Sequence, residues 1–323
     1  MSACSPRCTV MGGVIPPQRS AFRCAEFPFA PSDSCVWVNS GRAAFECILR
    51  SLPQPIGQVW VPRFICNTLL QPIERMKLPM RFYAVDEQMR PVLSPEMTAD
   101  DVLVAVNYFG LTGNAVEQVV AQAPCTVVVD ATTAFYAPPV PGVPCFYSPR
   151  KFAGMVDGGI AVAPFPLFVP AEQDADSDAR CEALLQCCSD AAVQAAEDAL
   201  SCAPMRMGEI SKELMLSVDW PAAEQQRLRH YAVLHQALAP LNRLQLPAAP
   251  EHAPMCYPFV SGIPGVRDYL IDAGVRLPLY WPEVIAATDA SAPENKLART
   301  LLPLPIDQRY TEADMEYLLS LVL

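Results

Sequence analysis

A set of short apolar runs between Val36 and Asp130 constrains the fold more than anything else in the chain. They read VWV, QVWVP, MRFYAV, DVLVAVNYF and CTVVVD. A strand with one face in water alternates apolar and polar residues, whereas a continuous apolar run of this length suits a strand buried on both faces. Between the runs lie segments with helical spacing. GRAAFECILRSL repeats its apolar positions Ala44, Ile48 and Leu52 every four residues, and ICNTLLQPIERM and AVEQVVAQA read as the next two helices. Strands and helices in alternation predict an α/β fold with a parallel or mostly parallel sheet covered on both sides.

The alternation breaks at PFPLFVP, which carries three prolines. From Ala171 to about Leu216 the chain turns helical and acidic, with EQDADSDARCEALL as a capped helix start. DWPAAEQQRLRHYAVLHQALAPL is a further helix. From about Met255 onward MCYPFVSGI, VRDYLIDAG, RLPLYW, LLPLPID and TEADMEYLLSLVL predict strands and helices of a smaller α+β unit. TEAD fits a capping box poorly, because Asp stands where Glu or Gln is usual. The division expected is an irregular arm over 1–35, a large domain over 36–216 and a small C-terminal domain over 217–323.

With 323 residues, 52% of them hydrophobic, the chain can bury a core for both domains. Its net charge is -11 and its basic residues are scattered, which argues against a nucleic-acid surface. No apolar run reaches the ~18 uncharged residues of a membrane span. Thirteen cysteines without a leading secretion signal read as reduced thiols in a cytoplasm. Cys4 and Cys8, and the pair Cys187-Cys188, lack the Cys-x-x-Cys repeats of a zinc site. His230, His235 and His252 share no ligand spacing, so no metal is expected.

In open α/β sheets ligands bind beyond the carboxyl ends of the strands, and three features fall there. Ser40-Gly41-Arg42-Ala43 joins a strand to a helix. It is either a phosphate cradle made of free amides, a close-approach glycine and a cation, or an ordinary helix start. Asp130 ends CTVVVD and is either a turn cap or a fixed carboxylate facing a cationic ring nitrogen. Lys151, in FYSPRKFAGMVDGGIAV, is either a surface turn residue or a reactive amine. The three together match pyridoxal phosphate chemistry, which needs an amine, a carboxylate at the pyridine nitrogen and an anion site. A nicotinamide reading is poorer, since no Gly-x-Gly-x-x-Gly follows a strand.

In chain order SGRAAF, VPRFICNTLLQPI, FYAVDE, NYFGLTG, VVVDATTAFY, SPRKFAGMVDGG and LPLPIDQRYTEADMEYL make the sequence resemble the DegT/DnrJ/StrS family of pyridoxal-phosphate sugar aminotransferases, of fold type I. The resemblance runs from about Val36 to the C-terminus and is most specific at Lys151, Asp157, Gly158 and Gly159. It implies that Lys151 holds the cofactor covalently, that Asp130 pairs with its ring nitrogen, and that Gly41, Arg42 and Ala43 face its phosphate. The chain departs from the family pattern at four positions. Arg42 replaces a Thr, Thr133 a Gln or His, Phe146 a Ser whose phosphate bond Ser148 is expected to take over, and Cys66 an aromatic that stacks on the ring.

The resemblance further implies a homodimer with sites built from two subunits. The implied reaction moves an amino group, from glutamate in the leading case, to a nucleotide-linked keto-sugar for amino-sugar or surface-polysaccharide synthesis. Three other readings stay open. One is a catalytically silent scaffold, which Thr133, Phe146 and Cys66 favour. Another is a non-sugar acceptor. The third is keto-sugar dehydration, which usually replaces the lysine with histidine and which Lys151 therefore argues against. Arg150 is read as an ion-pair or subunit-contact residue, Asp157 as orienting the lysine loop, and Arg63 and Arg276 as candidates for a diphosphate.

Overall fold

The computed structural model describes residues 11–13, 15, 16, 34–186 and 189–323. Most of the arm expected over 1–35, and Cys4, Cys8, Cys187 and Cys188, lie outside the described residues. The chain runs through β1 (Met11–Gly12), β2 (Cys35–Val38), α1 (Gly41–Ser51), β3 (Val59–Pro62), α2 (Leu70–Arg75), β4 (Met80–Val85), β5 (Pro91–Val92), β6 (Val102–Val106), α3 (Gly113–Gln122), β7 (Thr126–Ala131), β8 (Cys145–Tyr147) and β9 (Gly159–Val162). It continues with α4 (Ser177–Gln186), α5 (Asp190–Asp198), α6 (Glu209–Leu216), α7 (Trp220–Leu238), β10 (Tyr257–Val260), α8 (Val266–Asp272), β11 (Val275–Arg276), α9 (Pro282–Ala287), α10 (Pro293–Thr300), β12 (Leu301–Leu304) and α11 (Glu312–Val322).

Eight strands form one sheet in the order β2-β9-β8-β7-β6-β3-β4-β5. The neighbours from β8 through β7, β6 and β3 to β4 are parallel, while β9 runs antiparallel to both β2 and β8, and β5 antiparallel to β4. Every residue of β3, β6, β8 and β9 is buried, as their apolar runs required. The carboxyl ends of β2, β3, β6, β7 and β8 therefore share one edge of the sheet. That edge receives Ser40, Cys66, Asp130 and Lys151 from four separate stretches of sequence.

One expected strand is shorter than its apolar run. DVLVAVNYF leaves the sheet after Val106, because Asn107 Oδ1 accepts the Thr112 amide at 3.1 Å and Thr112 Oγ1 accepts the Tyr108 amide at 2.8 Å. These side-chain bonds offer the backbone a turn in place of a ladder. At the other end of the chain, TEAD does form a capping box. Thr311 accepts the Asp314 amide and Asp314 accepts the Thr311 amide, so Asp reaches back where Glu is usual.

Two hydrophobic cores result. One surrounds the large sheet; the other gathers Met11, Tyr257, Phe259, Leu302, Leu304, Met315 and their neighbours around the antiparallel pair β10 and β12. Helix α7 joins them, with Trp220 in the first core and Tyr231, Leu234 and Leu238 in the second. The N-terminal strand β1 lies parallel to β11 and so belongs with the C-terminal elements.

Gly159 is where the lysine loop returns to the sheet. A Cβ there would lie 2.0 Å from the Ser40 carbonyl oxygen, so only glycine lets β9 pass under the start of α1. Gly159→Ala should cost more than about 3 kcal/mol, since the obstacle is backbone that cannot rotate away. Gly142→Ala, at a positive φ with open space around it, should cost about 1–2 kcal/mol. Urea unfolding of both variants measures the difference; equal losses would contradict the close approach.

Candidate active site

A cavity of about 400 Å³ opens at the shared strand edge, and its wall includes Gly41, Cys66, Asp130, Thr133, Ser148 and Lys151. Six of the eight residues singled out from sequence thus lie directly on it. Arg42 is a seventh, but its guanidinium donates to Gln71 Oε1 at 2.9 Å and to the Leu200 carbonyl at 2.6 Å. Ala43 stands apart: it is fully buried, and its amide is taken by Ser40 Oγ at 3.2 Å.

The geometry at the head of α1 suits an anion. Ser40 caps the helix, which leaves the Gly41 and Arg42 amides without intrahelical acceptors at its positive end. A Cβ on Gly41 would come within 2.9 Å of Thr132 Cγ2, so a side chain here would fill the cradle. The buried Arg42 Nε–H has no protein acceptor, an orphaned donor beside the same turn. An amine, a carboxylate and an anion cradle therefore share one cavity, and the donor set fits pyridoxal phosphate.

Asp130 and Lys151 are linked through Thr132. The Thr132 amide donates to Asp130 Oδ1 at 2.8 Å, and Lys151 Nζ donates to Thr132 Oγ1 at 3.2 Å. Asp130 is 3% exposed, and burial pushes its carboxyl above the ordinary range although Lys151 and Thr132 pull the other way. Lys151 keeps accessible area because it lines open space, but the protein around it displaces most of its water. Burial lowers its amine below the usual lysine value, against the opposing pull of Asp130 and Cys66. Desolvation outweighs the ion attraction at both groups.

The remaining sequence positions have structural partners. Thr133 Oγ1 accepts the Phe109 amide at 3.0 Å and donates to the Asn107 carbonyl at 3.1 Å, so its hydroxyl is occupied within the fold. Phe146 stacks on Phe45 with ring centres 5.0 Å apart. Cys66 Sγ meets Thr68 Oγ1 at 3.0 Å. Arg150 forms a two-pronged ion pair with Glu197 of α5. Asp157 Oδ2 accepts the Gly208 amide at 2.8 Å, which ties the lysine loop to the start of α6.

Among the wall residues that the sequence reading did not single out are Thr132, Tyr280 and Trp281. Thr132 lay beside Asp130 in DATT, where an acid followed two residues on by a bonded amide is a recognisable turn. Tyr280 and Trp281 come from the loop before α9 and have no local signal, because long-range packing against the core of the large sheet brings them across. A second cavity of about 870 Å³ adjoins the first and shares Arg150, Lys151, Glu197 and Tyr280 with it. Arg276 is on its wall; Arg63 is on neither. Among the described residues no cluster of histidine, cysteine and carboxylate groups is placed to hold a metal, and no helix is long and apolar enough to cross a membrane.

No protein-family model matches the sequence, and neither does any curated protein. Solved structures match in fold. DesV of S. venezuelae, in complex with a ketimine intermediate, superposes with a TM-score of 0.65 at 19% identity over 90% of this chain and 84% of its own. The sugar aminotransferase CalS13 of Micromonospora echinospora gives 0.62 at 19% identity, covering 89% and 86%. The E. coli GDP-4-keto-6-deoxy-D-mannose-3-dehydratase, with hydrated PLP bound, gives 0.62 at 14% identity, covering 90% and 88%. The chain shares the fold of these proteins, and it is the α/β architecture that the sequence resemblance implied.

The lowered amine of Lys151 makes a prediction on the ligand-free protein. A lysine whose pKa is depressed holds a larger neutral fraction below the usual lysine value, and only the neutral amine attacks an aldehyde. Reductive methylation with limiting formaldehyde near pH 8, read by peptide mass spectrometry, should label Lys151 ahead of Lys212 and Lys296, which are ion-paired to Glu209 and Glu87. The lead should shrink as pH rises towards 10. Labelling of Lys151 last among the lysines would contradict it.

Proposed function

We propose that the protein is a pyridoxal-phosphate-dependent aminotransferase that moves an amino group from an amino acid, glutamate in the leading case, to a nucleotide-linked keto-sugar. One observation carries the reading: Lys151, Asp130 and the open head of α1 meet in a single cavity. When bound, pyridoxal phosphate supplies an aldehyde that links to an amine and a ring that spreads the charge left when a proton leaves the neighbouring carbon. Lys151 is the amine placed to hold it. With its proton affinity lowered by burial, a larger share of Nζ is neutral and free to take a proton from a substrate carbon and return it one position away. Thr132 Oγ1 holds Nζ in that place. Asp130 presents a carboxylate where a ring nitrogen is to be kept protonated, and the Gly41 and Arg42 amides take the phosphate.

The sugar acceptor is supported by the names of two fold neighbours, a sugar aminotransferase and a dehydratase of a GDP-linked keto-sugar. It is also supported by the adjoining cavity with Arg276 on its wall, which offers room and positive charge to a diphosphate. Lys151 favours transamination over dehydration within this fold. A homodimeric cytoplasmic enzyme of amino-sugar or surface-polysaccharide synthesis completes the proposal. So does a division into a cofactor domain over 36–216 and a small domain over 217–323, supported by the two cores that meet along α7.

Borohydride added to protein loaded with pyridoxal phosphate should fix the phosphopyridoxyl group on Lys151. Its recovery on Lys77, Lys212 or Lys296, or no uptake at saturating cofactor, would remove the central assignment. Asp130→Asn should keep the far-ultraviolet spectrum and lower the transamination rate about a hundredfold or more. For the acceptor, protein converted with glutamate and freed of excess donor is offered nucleotide-linked 3-keto and 4-keto sugars beside simple 2-oxo acids. Return of the original absorbance band with a keto-sugar alone supports the assignment; return with 2-oxo acids alone ends it. Indifference to glutamate and every other donor would favour a silent scaffold.

A further inference from the structure

We propose that the aromatic surface against which the pyridoxal ring rests comes from the C-terminal part of the same chain, with Tyr280 taking the place that Cys66 cannot fill. The inference rests on the cofactor reading above and adds a residue to it. Neither position expected to cover a ring face carries an aromatic group: one is Cys66, the other Thr133, whose hydroxyl is bound to Phe109 and Asn107. The cavity wall nevertheless includes three aromatic side chains, Phe146, Tyr280 and Trp281.

Two of the three are committed to the core. Phe146 is fully buried against Phe45. Trp281 is 9% exposed, edge-on to Phe64 at 4.5 Å and tilted against Tyr108 at 5.8 Å. Tyr280 differs from both. It is only partly buried and borders both cavities, so it stands where they meet beside Lys151. Behind it pack Phe109 at 5.5 Å and Trp281 at 5.7 Å, which brace the ring.

The backbone around Tyr280 is held in place by unusual means. Only four non-glycine residues among those described have positive φ, and two of them, Phe109 at 58° and Trp281 at 55°, are the residues that brace Tyr280. Bulky side chains adopt this region at a cost that the surrounding structure must override, and such residues gather at ligand sites. The loop is also tethered: Glu283 Oε1 accepts the Asn67 amide at 2.8 Å, one residue from Cys66. Pro278 and Pro282 stiffen it on either side. A strained, anchored loop thus carries a braced aromatic ring to the side of the cavity where the stacking residue is missing.

The test is cofactor affinity and the visible circular dichroism of the bound cofactor, measured on full-length protein. Tyr280→Leu should weaken pyridoxal phosphate binding about tenfold and reduce the visible dichroic band, whereas Tyr280→Phe should stay within about twofold of wild type. Cys66→Trp added to Tyr280→Leu should recover part of the loss. A wild-type experiment stands beside the variants in case Tyr280→Leu does not fold. Nitration by tetranitromethane should be blocked at Tyr280 by added pyridoxal phosphate, while Tyr269, 56% exposed, is modified either way. Unchanged binding in Tyr280→Leu, an equal loss in Tyr280→Phe, or equal nitration of Tyr280 with and without cofactor would each overturn the proposal. A wild-type protein that takes up no pyridoxal phosphate overturns the cofactor reading itself, which keeps the two failures distinct.

Discussion

The buried carboxylate of Asp130 is the group around which the rest of the site is arranged. It is the penultimate residue of β7, whose neighbours on both sides are parallel strands, so water reaches it through the cavity. An ion in that position is costly unless donors or opposite charge replace its hydration. One amide, that of Thr132, does so at 2.8 Å, and Lys151 adds attraction from across the cavity. Burial still prevails, since the carboxyl stays above its ordinary range and the lysine below its own. Under the proposed function, a cationic ring nitrogen beside Asp130 would supply the counter-charge that burial withholds.

The sheet that sets this up was legible in the sequence because its signal is local. Continuous apolar runs such as VWVP and VLVAV can serve as strands only if both faces are covered, and helices of four-residue period supply the cover. The limits of the runs were less legible. NYF following VLVAV continues the hydrophobic pattern, yet Asn107 and Thr112 bind the backbone first and end the strand. The Thr311-Asp314 box shows the same limitation in reverse, a side chain one methylene shorter than usual that still reaches.

The site was legible in proportion to how much of it comes from strand ends. Gly41, Cys66, Asp130, Ser148 and Lys151 lie at or just beyond the carboxyl ends of β2, β3, β7 and β8 of one sheet, so reading the strand ends was enough to collect them. For Arg42 the residue type did not fix where the side chain points, because a cation at a helix start can serve as a clamp or bind within the fold. Two of its guanidinium nitrogens turn to Gln71 and the Leu200 carbonyl, while its Nε–H is left without a protein acceptor. Tyr280 and Trp281 were invisible for a different reason: their placement depends on long-range packing against Phe64, Tyr108 and Phe109 in the core of the large sheet and on the docking of the loop at Asn67, neither of which leaves a local pattern.

That docking has a consequence for the lysine itself. The Phe152 carbonyl, one residue beyond Lys151, accepts from Gln308 Nε2 at 2.8 Å and from Arg227 at 3.4 Å, and the Arg227 guanidinium lies 5.1 Å from the Phe152 ring centre. Both donors belong to the C-terminal part of the chain. On the other side of the loop, Asp157 is held by the Gly208 amide at the start of α6. The turn that presents the amine is thus clamped at one end by the large sheet's own helices and at the other by the C-terminal elements. Tyr280 reaches the cavity from the same part of the chain, in the loop between β11 and α9. A shift of the C-terminal part would move the amine's support and Tyr280 together. Elements far apart in the sequence therefore converge on one cavity, although only the large sheet supplies its strands.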